Sequence, residues 1–522
     1  HTFITGSTGS GKSNTVYRLL ERLGEANVRF LVVEPAKGEY KDVLGKKKGV
    51  VTYGTNPNMR NVHLLRINPF RFPKHTHILE HLDRLVEIFN VCWPMYAAMP
   101  AILKDSVERA YVSCGWDLEK SSNRYDDDLF PSFEDVVQQI KKVLDESDYS
   151  ADNKGDYTGS LVTRVKSLTN GINGLIFSTD DIEDEYLFDR NVIIDLSRVG
   201  SSETKSLIMG LLVLKLQEHR MEQRYMGANT NDTLKHITVL EEAHNLLKRT
   251  SADQSAEGSN MIGKSVEMLA NSIAEMRTYG EGFVIADQSP GLLDMSVIRN
   301  TNTKIILRLP DYSDRELVGK ASGLSEKQIE ELAKLEKGVA AISQSDWLEP
   351  VLCKIDKYDG NGQPFETAEG TRGVKGRVNT LLVSKSLMDC IMGKEIYRKG
   401  DRIDIQRLKE KVIKSKLSTR VKCDFIDYIS ASEDNTAEPL RRLVYDFFQA
   451  EAAVKDAKKC SDINAWVHSV AENLHPSILN YTTQQINLIL AMLVREAALR
   501  NGTYNDISHR FEEIYKEKGG VF

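Results

Sequence analysis

Gly6-Ser7-Thr8-Gly9-Ser10-Gly11-Lys12-Ser13 fits the spacing G-x-x-x-x-G-K-[ST], and no other stretch narrows the possible folds as far. The apolar run Thr2–Thr5 ahead of it reads as a strand, and Asn14 to Leu23 behind it reads as a helix. A strand, a glycine-rich turn and a helix in that order belong to a parallel sheet with covering helices. The glycines let the backbone curl so that its N–H groups converge on a phosphate, and the helix dipole favours the same negative charge. Lys12 then reaches the β- and γ-phosphates of ATP, and the Ser13 hydroxyl binds Mg²⁺. The expected nucleotide-binding residues are Gly6, Ser7, Thr8, Gly9, Ser10, Gly11, Lys12, Ser13 and Asn14.

The rest of the chain continues the alternation. Arg29–Glu34, Gly49–Tyr53 and Val62–Ile67 read as strands of the first part of a RecA-like core, residues 1–76. From 77 to 184 the apolar residues recur at helical spacing, which predicts a helical insertion closed by the acidic run Asp180–Glu185. Strands resume over 185–358, at Asn191–Leu196, His236–Leu240, Gly282–Ala286, Lys304–Leu309, Gly338–Ser343 and Leu348–Ile355, with a long amphipathic helix over Glu203–Tyr225. A glycine-rich linker is expected at 359–379 and an all-helical domain at 380–522. The fold class is therefore α/β, with a mostly parallel sheet interrupted by helices.

Ile237-Thr238-Val239-Leu240-Glu241-Glu242 is an apolar strand ending in two carboxylates. Glu241 is expected in the Mg²⁺ shell, and Glu242 is expected to polarise the attacking water. Gln288 follows the strand Gly282–Ala286, and parallel strands turn their carboxyl ends to one ligand crevice, so Gln288 falls near the γ-phosphate. Arg277 and Arg308 are candidates for the arginine that neutralises charge on a transferring phosphoryl group.

Charge limits how such a chain could hold nucleic acid. Lys and Arg number 69 against 75 Asp and Glu, a formal net charge of −6, so any grip on DNA must come from local basic surface. Lys248, Arg249 and Lys264, in a polar stretch after Glu242, are the candidate DNA contacts. The Lys375–Lys422 stretch is also basic, and a solvated helix face is its plain reading. The cysteines Cys92, Cys114, Cys353, Cys390, Cys423 and Cys460 form no C-x-x-C pair and read as buried thiols of a cytoplasmic protein. No apolar run is long enough to span a membrane. The first strand starts almost at His1, so a further segment is expected upstream.

The ordered set Gly6–Ser13, Glu34–Tyr40, Asp195-Leu196-Ser197, Leu240–His244 and Ala286–Pro290 resembles the HerA family of hexameric DNA-translocating ATPases, within the FtsK/VirB4 group. The resemblance covers about residues 1–355. It implies a homohexamer with ATP between subunits, double-stranded DNA in a central channel, and Arg277 as the arginine acting on a neighbour's nucleotide. It also implies a partner protein, a nuclease or NADase-type effector, in DNA processing or antiviral defence. The chain departs from the family at Glu34-Pro35-Ala36-Lys37 and at Asp287 and Ser289 around Gln288. Two other readings stand beside the motor: a secretion or conjugation ATPase, and a nucleotide-gated platform for an effector.

Overall fold

The computed structural model describes residues 1–59, 61–227, 233–249, 256–360, 365, 378–391, 405–432, 435–457, 463–473 and 482–517. Its strands are β1 (Thr2–Thr5), β2 (Arg29–Glu34), β3 (Val50–Gly54), β4 (His63–Leu64), β5 (Trp116–Asp117), β6 (Ser122–Asn123), β7 (Asn191–Asp195), β8 (His236–Glu241), β9 (Glu281–Asp287), β10 (Thr303–Ile306), β11 (Val339–Gln344) and β12 (Val351–Lys354). All but β5 and β6 join a 10-stranded sheet in the order β12-β11-β10-β1-β9-β8-β2-β7-β3-β4. Pairing is parallel from β10 through β4, while β11 and β12 close one side as an antiparallel hairpin.

The inner strands are apolar almost throughout because both sheet faces are covered. Ile4, Phe30, Val32, Ile193, Val239 and Val284 pack with Val16, Tyr17 and Leu20 of the helix Lys12–Glu25. Phe3, Leu31, Val33, Val192, Ile194 and Leu240 alternate with them, point to the opposite face and are fully buried. The helix Ser202–Tyr225 is capped by the Ser201 side chain, which accepts from the Thr204 N–H. It packs against the helices Ile78–Cys92 and Ala256–Glu275 and is buried nearly all round. Its buried charges are paired: Glu218 with His81 at 3.0 Å, and Arg220 with Glu281 at 3.0 Å and Asp189 at 2.7 Å.

Several sequence expectations change in detail. The strand expected over Lys304–Leu309 stops at Ile306, because the next carbonyls support other elements: Arg308 O accepts from Ser7 N at 2.9 Å. The segment Val62–Ile67 keeps only a two-residue strand plus a bridge between Ile67 and Phe177. The acidic run Asp180–Glu185 is no exposed loop. Asp181 meets Arg71 at 3.0 Å, and Asp184 meets the buried Lys215 at 3.2 Å.

The chain divides into two compact units, His1–Arg109 with Val136–Lys375, and Ala110–Asp135 with Gly376–Phe522. The segment 77–184, expected as one helical insertion, is thus shared between them. Its β5–β6 hairpin region belongs to the second unit, where Leu129 packs with Ile413, Cys423 and Ile426. The expected linker at 359–379 lies largely outside the described residues. Cys92, Cys114 and Cys423 are buried as expected, but Cys353 is exposed on β12; Cys460 is outside the described residues. Lys422, at the end of the basic stretch, is 1% exposed and not a solvated charge. Burial lowers its pKa to about 8.

The second unit has its own core, built on Phe425, Leu443, Val444, Trp466, Leu493 and Val494. Beside it Arg500 grips Asp446 in two-pronged fashion at 3.0 and 2.9 Å, and Arg442 reaches Asp424 at 3.3 Å. Burial, reinforced by Asp446, pushes the Asp424 carboxyl up to about 7. The folded unit therefore holds a proton that the unfolded chain releases near pH 4. Stability from this group is full below that pH and is lost as pH rises towards 7. Melting followed from pH 4.5 to 8 should show this decline, and Asp424→Asn should flatten it.

Candidate nucleotide site

The parallel registers bring the chemistry to one edge of the sheet. Thr5 lies opposite Asp287, Glu241 opposite Ala286, and Glu34 opposite Asp195. The loop after β1 is shaped by Gly9 at φ +79° and Gly11 at φ +112°, a left-handed conformation that costs glycine little. A Cβ on Gly6 would stand 2.8 Å from Leu307 Cβ, so that position admits no side chain without a shift. The loop is pinned from outside: Ser7 N–H and hydroxyl both donate to Arg308 O, and Gly338 N–H donates to Ser10 O at 2.9 Å. Ser13 is half-buried in the first turn of the following helix.

Lys12 is 7% exposed and donates to Glu241 Oε2 at 2.6 Å and Glu242 Oε1 at 3.5 Å. Burial opposes its charge, but the two carboxylates outweigh burial and hold its pKa above the ordinary lysine value. Glu242 has φ 44° and ψ 52°, a left-handed conformation uncommon for a residue with a side chain. Gln288 holds it there, donating from Nε2 to Glu242 Oε1 at 2.6 Å while its Oε1 accepts from Thr8 Oγ1 at 2.8 Å. The topology explains this bridge. β9 lies between β1 and β8, so the residue just beyond its end sits between the glycine-rich loop and Glu242.

Several partners were not anticipated from the sequence. The Glu34 carboxylate accepts the N–H groups of Glu39 and Tyr40 at 2.8 and 3.1 Å, and Tyr40 in turn hydrogen-bonds Glu241 Oε1. Lys41 pairs with Asp195 at 2.5 Å. The run Glu34–Tyr40 directly after a buried strand was the available signal, because it had to sit at the carboxyl edge. His244 Nδ1 lies 2.9 Å from Asp287 Oδ2, and that contact raises the imidazole pKa. Glu242, His244 and Asp287 carry ligand-type atoms within 4.8 Å of one another. Asp287 accepts from the N–H groups of His244 and Ser289 and lies against the imidazole, so Asp287 and His244 form a hydrogen-bonded pair beside Glu242.

The donor set suits a nucleoside triphosphate with a divalent cation. It offers a caged ammonium, a positive-φ glycine loop opening a helix, a hydroxyl at Ser13 and a carboxylate at Glu241. The Ser10 hydroxyl is buried and without a protein partner among the described residues.

A family model described as "Helicase HerA, central domain" matches residues 1–216. Residues 1–216 are thus similar to the HerA central domain. The chain is 26% identical over 364 residues to a protein named "DNA double-strand break repair helicase HerA" from Sulfurisphaera tokodaii, covering 69% of this chain and 65% of that one. It is 24% identical over 364 residues to the protein of the same name from Sulfolobus acidocaldarius, with the same coverage. The chain thus spans just under two thirds of these relatives. Its fold is similar to VirB4 of Thermoanaerobacter pseudethanolicus, with a TM-score of 0.50 and 17% identity over 70% of this chain and 91% of that one.

Within the sheet core the two arginine candidates part company. Arg308 follows β10 and supports the glycine-rich loop through its carbonyl. Arg277 lies in the 3-10 turn Met276–Tyr279, exposed, ahead of β9. The length of β9, about 20 Å at ~3.3 Å per residue, separates it from its own chain's site. Lys248 and Arg249 are exposed beyond β8, where Lys248 bridges to Leu293. The polar stretch expected there is in part a helix, Ala256–Glu275, with Lys264 exposed on it; residues 250–255 are outside the described set. Among the described residues no helix is long and apolar enough to cross a membrane.

Proposed function

We propose that this chain is one subunit of a HerA-type ring motor that hydrolyses ATP with Mg²⁺ and translocates double-stranded DNA. The observation that carries the reading is the cluster of Lys12, Glu241, Glu242 and Gln288 at one sheet edge, with Arg277 at the other. Lys12 holds the β/γ-phosphates, and Ser13 and Glu241 hold the cation, which neutralises phosphate charge when bound. Glu242 orients water for in-line attack and accepts its proton, and Gln288 ties that carboxylate to the phosphate loop through Thr8. Arg277 is too far from its own site to serve it, so it acts on a neighbour's nucleotide. That supports a homo-oligomer with sites between subunits, a homohexamer by family resemblance.

In this reading residues 1–76 and 185–358 form the motor core, and the acidic chain meets DNA through Lys248, Arg249 and Lys264 of every subunit gathered on the ring axis. The helical C-terminal unit is free to carry a nuclease or NADase-type effector in DNA processing or antiviral defence. The test is phosphate release with and without duplex DNA, at constant protein concentration. Stimulation by duplex is expected. Hydrolysis indifferent to DNA would remove the translocase and leave a nucleotide-gated platform.

A further inference from the structure

We propose that Tyr40 is a positioning residue that holds the Glu241 carboxylate in place for the cation when Lys12 leaves it for the phosphates. The proposal rests on the nucleotide-site reading above.

Glu241 divides its oxygens between two donors. Oε2 accepts from Lys12 Nζ at 2.6 Å, and Oε1 accepts from the Tyr40 hydroxyl. The two donors differ in what happens to them when a nucleotide arrives. Lys12 stands on the glycine-rich loop and is drawn to the β/γ-phosphates, so its bond to Glu241 is surrendered as the site fills. Tyr40 stands on no element that touches the phosphates, so its bond persists. A carboxylate released by its ammonium is then still tethered through one oxygen, and the other faces the cation in a restricted range of orientations.

The tyrosine is built to stay put. It is 2% exposed and opens the short helix Tyr40–Leu44. Its N–H is bound by Glu34 at the end of β2, and β2 pairs directly with β8, the strand that ends in Glu241. Its ring meets Tyr17 edge-on at 5.0 Å and 72°. The next residue, Lys41, is tied to Asp195 at 2.5 Å. A fixed donor on a second shell restricts a metal-binding carboxylate and raises its fitness as a ligand.

The experiment measures binding of a fluorescent ATP analogue to the full chain in Mg²⁺ and in EDTA. Tyr40→Phe keeps the ring and removes only the hydroxyl. Its affinity in EDTA should equal that of the wild type, while the gain conferred by Mg²⁺ should shrink by about ten-fold, the scale of a hydrogen bond to a charged group. Tyr17→Phe, the same loss of a hydroxyl from the ring packed against Tyr40, should leave the Mg²⁺ gain intact. Adding Tyr40→Phe to Glu241→Ala should cost nothing further in Mg²⁺, because with the carboxylate gone the hydroxyl has nothing left to position. An unchanged Mg²⁺ gain in Tyr40→Phe overturns the assignment, as does an equal loss in Mg²⁺ and EDTA, which marks a packing defect. A wild-type protein with no Mg²⁺ gain at all overturns the underlying site reading as well.

Discussion

Glu242→Gln is expected to bind ATP as the wild type does and to hydrolyse it about 10²–10⁴-fold more slowly, the usual worth of a positioned general base. The substitution keeps the shape of the side chain and leaves the Lys12–Glu241 contact at 2.6 Å in place. An amide can still hydrogen-bond Gln288, so the left-handed backbone at Glu242 keeps its restraint. What is lost is the carboxylate's proton affinity, which a base for the attacking water needs. Equilibrium nucleotide binding and steady-state phosphate release, measured on the same preparation, separate the two effects. Near wild-type turnover would move the base elsewhere, with His244 and its Asp287 partner the next group to test.

Arg277→Ala should reduce turnover by ~10³ or more, the scale of an arginine supplied in trans, with little change in nucleotide affinity. The reason is placement: Arg277 is exposed at the amino end of β9, on the edge away from its own glycine-rich loop. Mixing supplies the decisive control. Lys12→Ala subunits lack a working loop but keep the arginine, so a mixed assembly pairs an intact loop with an intact arginine at some interfaces. Activity should reappear on mixing two inactive proteins. Failure to recover activity in mixed rings of verified composition would place the arginine's action within one chain and shift attention to Arg308, whose main chain already supports the loop.

How much of this was legible beforehand follows from how local each signal is. Gly6–Ser13 and the paired glutamates of Leu240–His244 each lie within one strand and its turn, so spacing alone exposes them. The strand order is a different matter. Nothing local in Phe283 or Ile285 says that β9 inserts between β1 and β8, and that insertion is what turns Gln288 from a residue near the phosphates into the link between Thr8 and Glu242. Tyr40 shows the same limit. Its motif stands out in the sequence, but its partner Glu241 is set by the pairing of β2 with β8, not by spacing. The stretch after Arg249 misled through composition: its serine, glycine and asparagine read as loop, yet Ala256–Glu275 is a helix docked on the helix Ile78–Cys92. Tertiary packing overrides propensity there. Lys422 misled in the opposite direction, as a charge assigned to solvent that the second unit buries.

The position of β1 has a consequence for how such a protein is made. β1 is translated well before its sheet neighbours β9 and β10, which begin at Glu281 and Thr303. At ~5–20 residues per second the ribosome takes some tens of seconds to supply them. During that interval an apolar strand emerges with both hydrogen-bonding edges unsatisfied, ahead of the partners that would cover it. The glycine-rich loop cannot take its final shape before then either, since Arg308 and Gly338 pin it from further downstream. A nascent chain therefore carries the whole phosphate-binding motif without a site able to use it until Gly338 has been added, and an apolar edge that invites chaperones or other nascent chains throughout the wait.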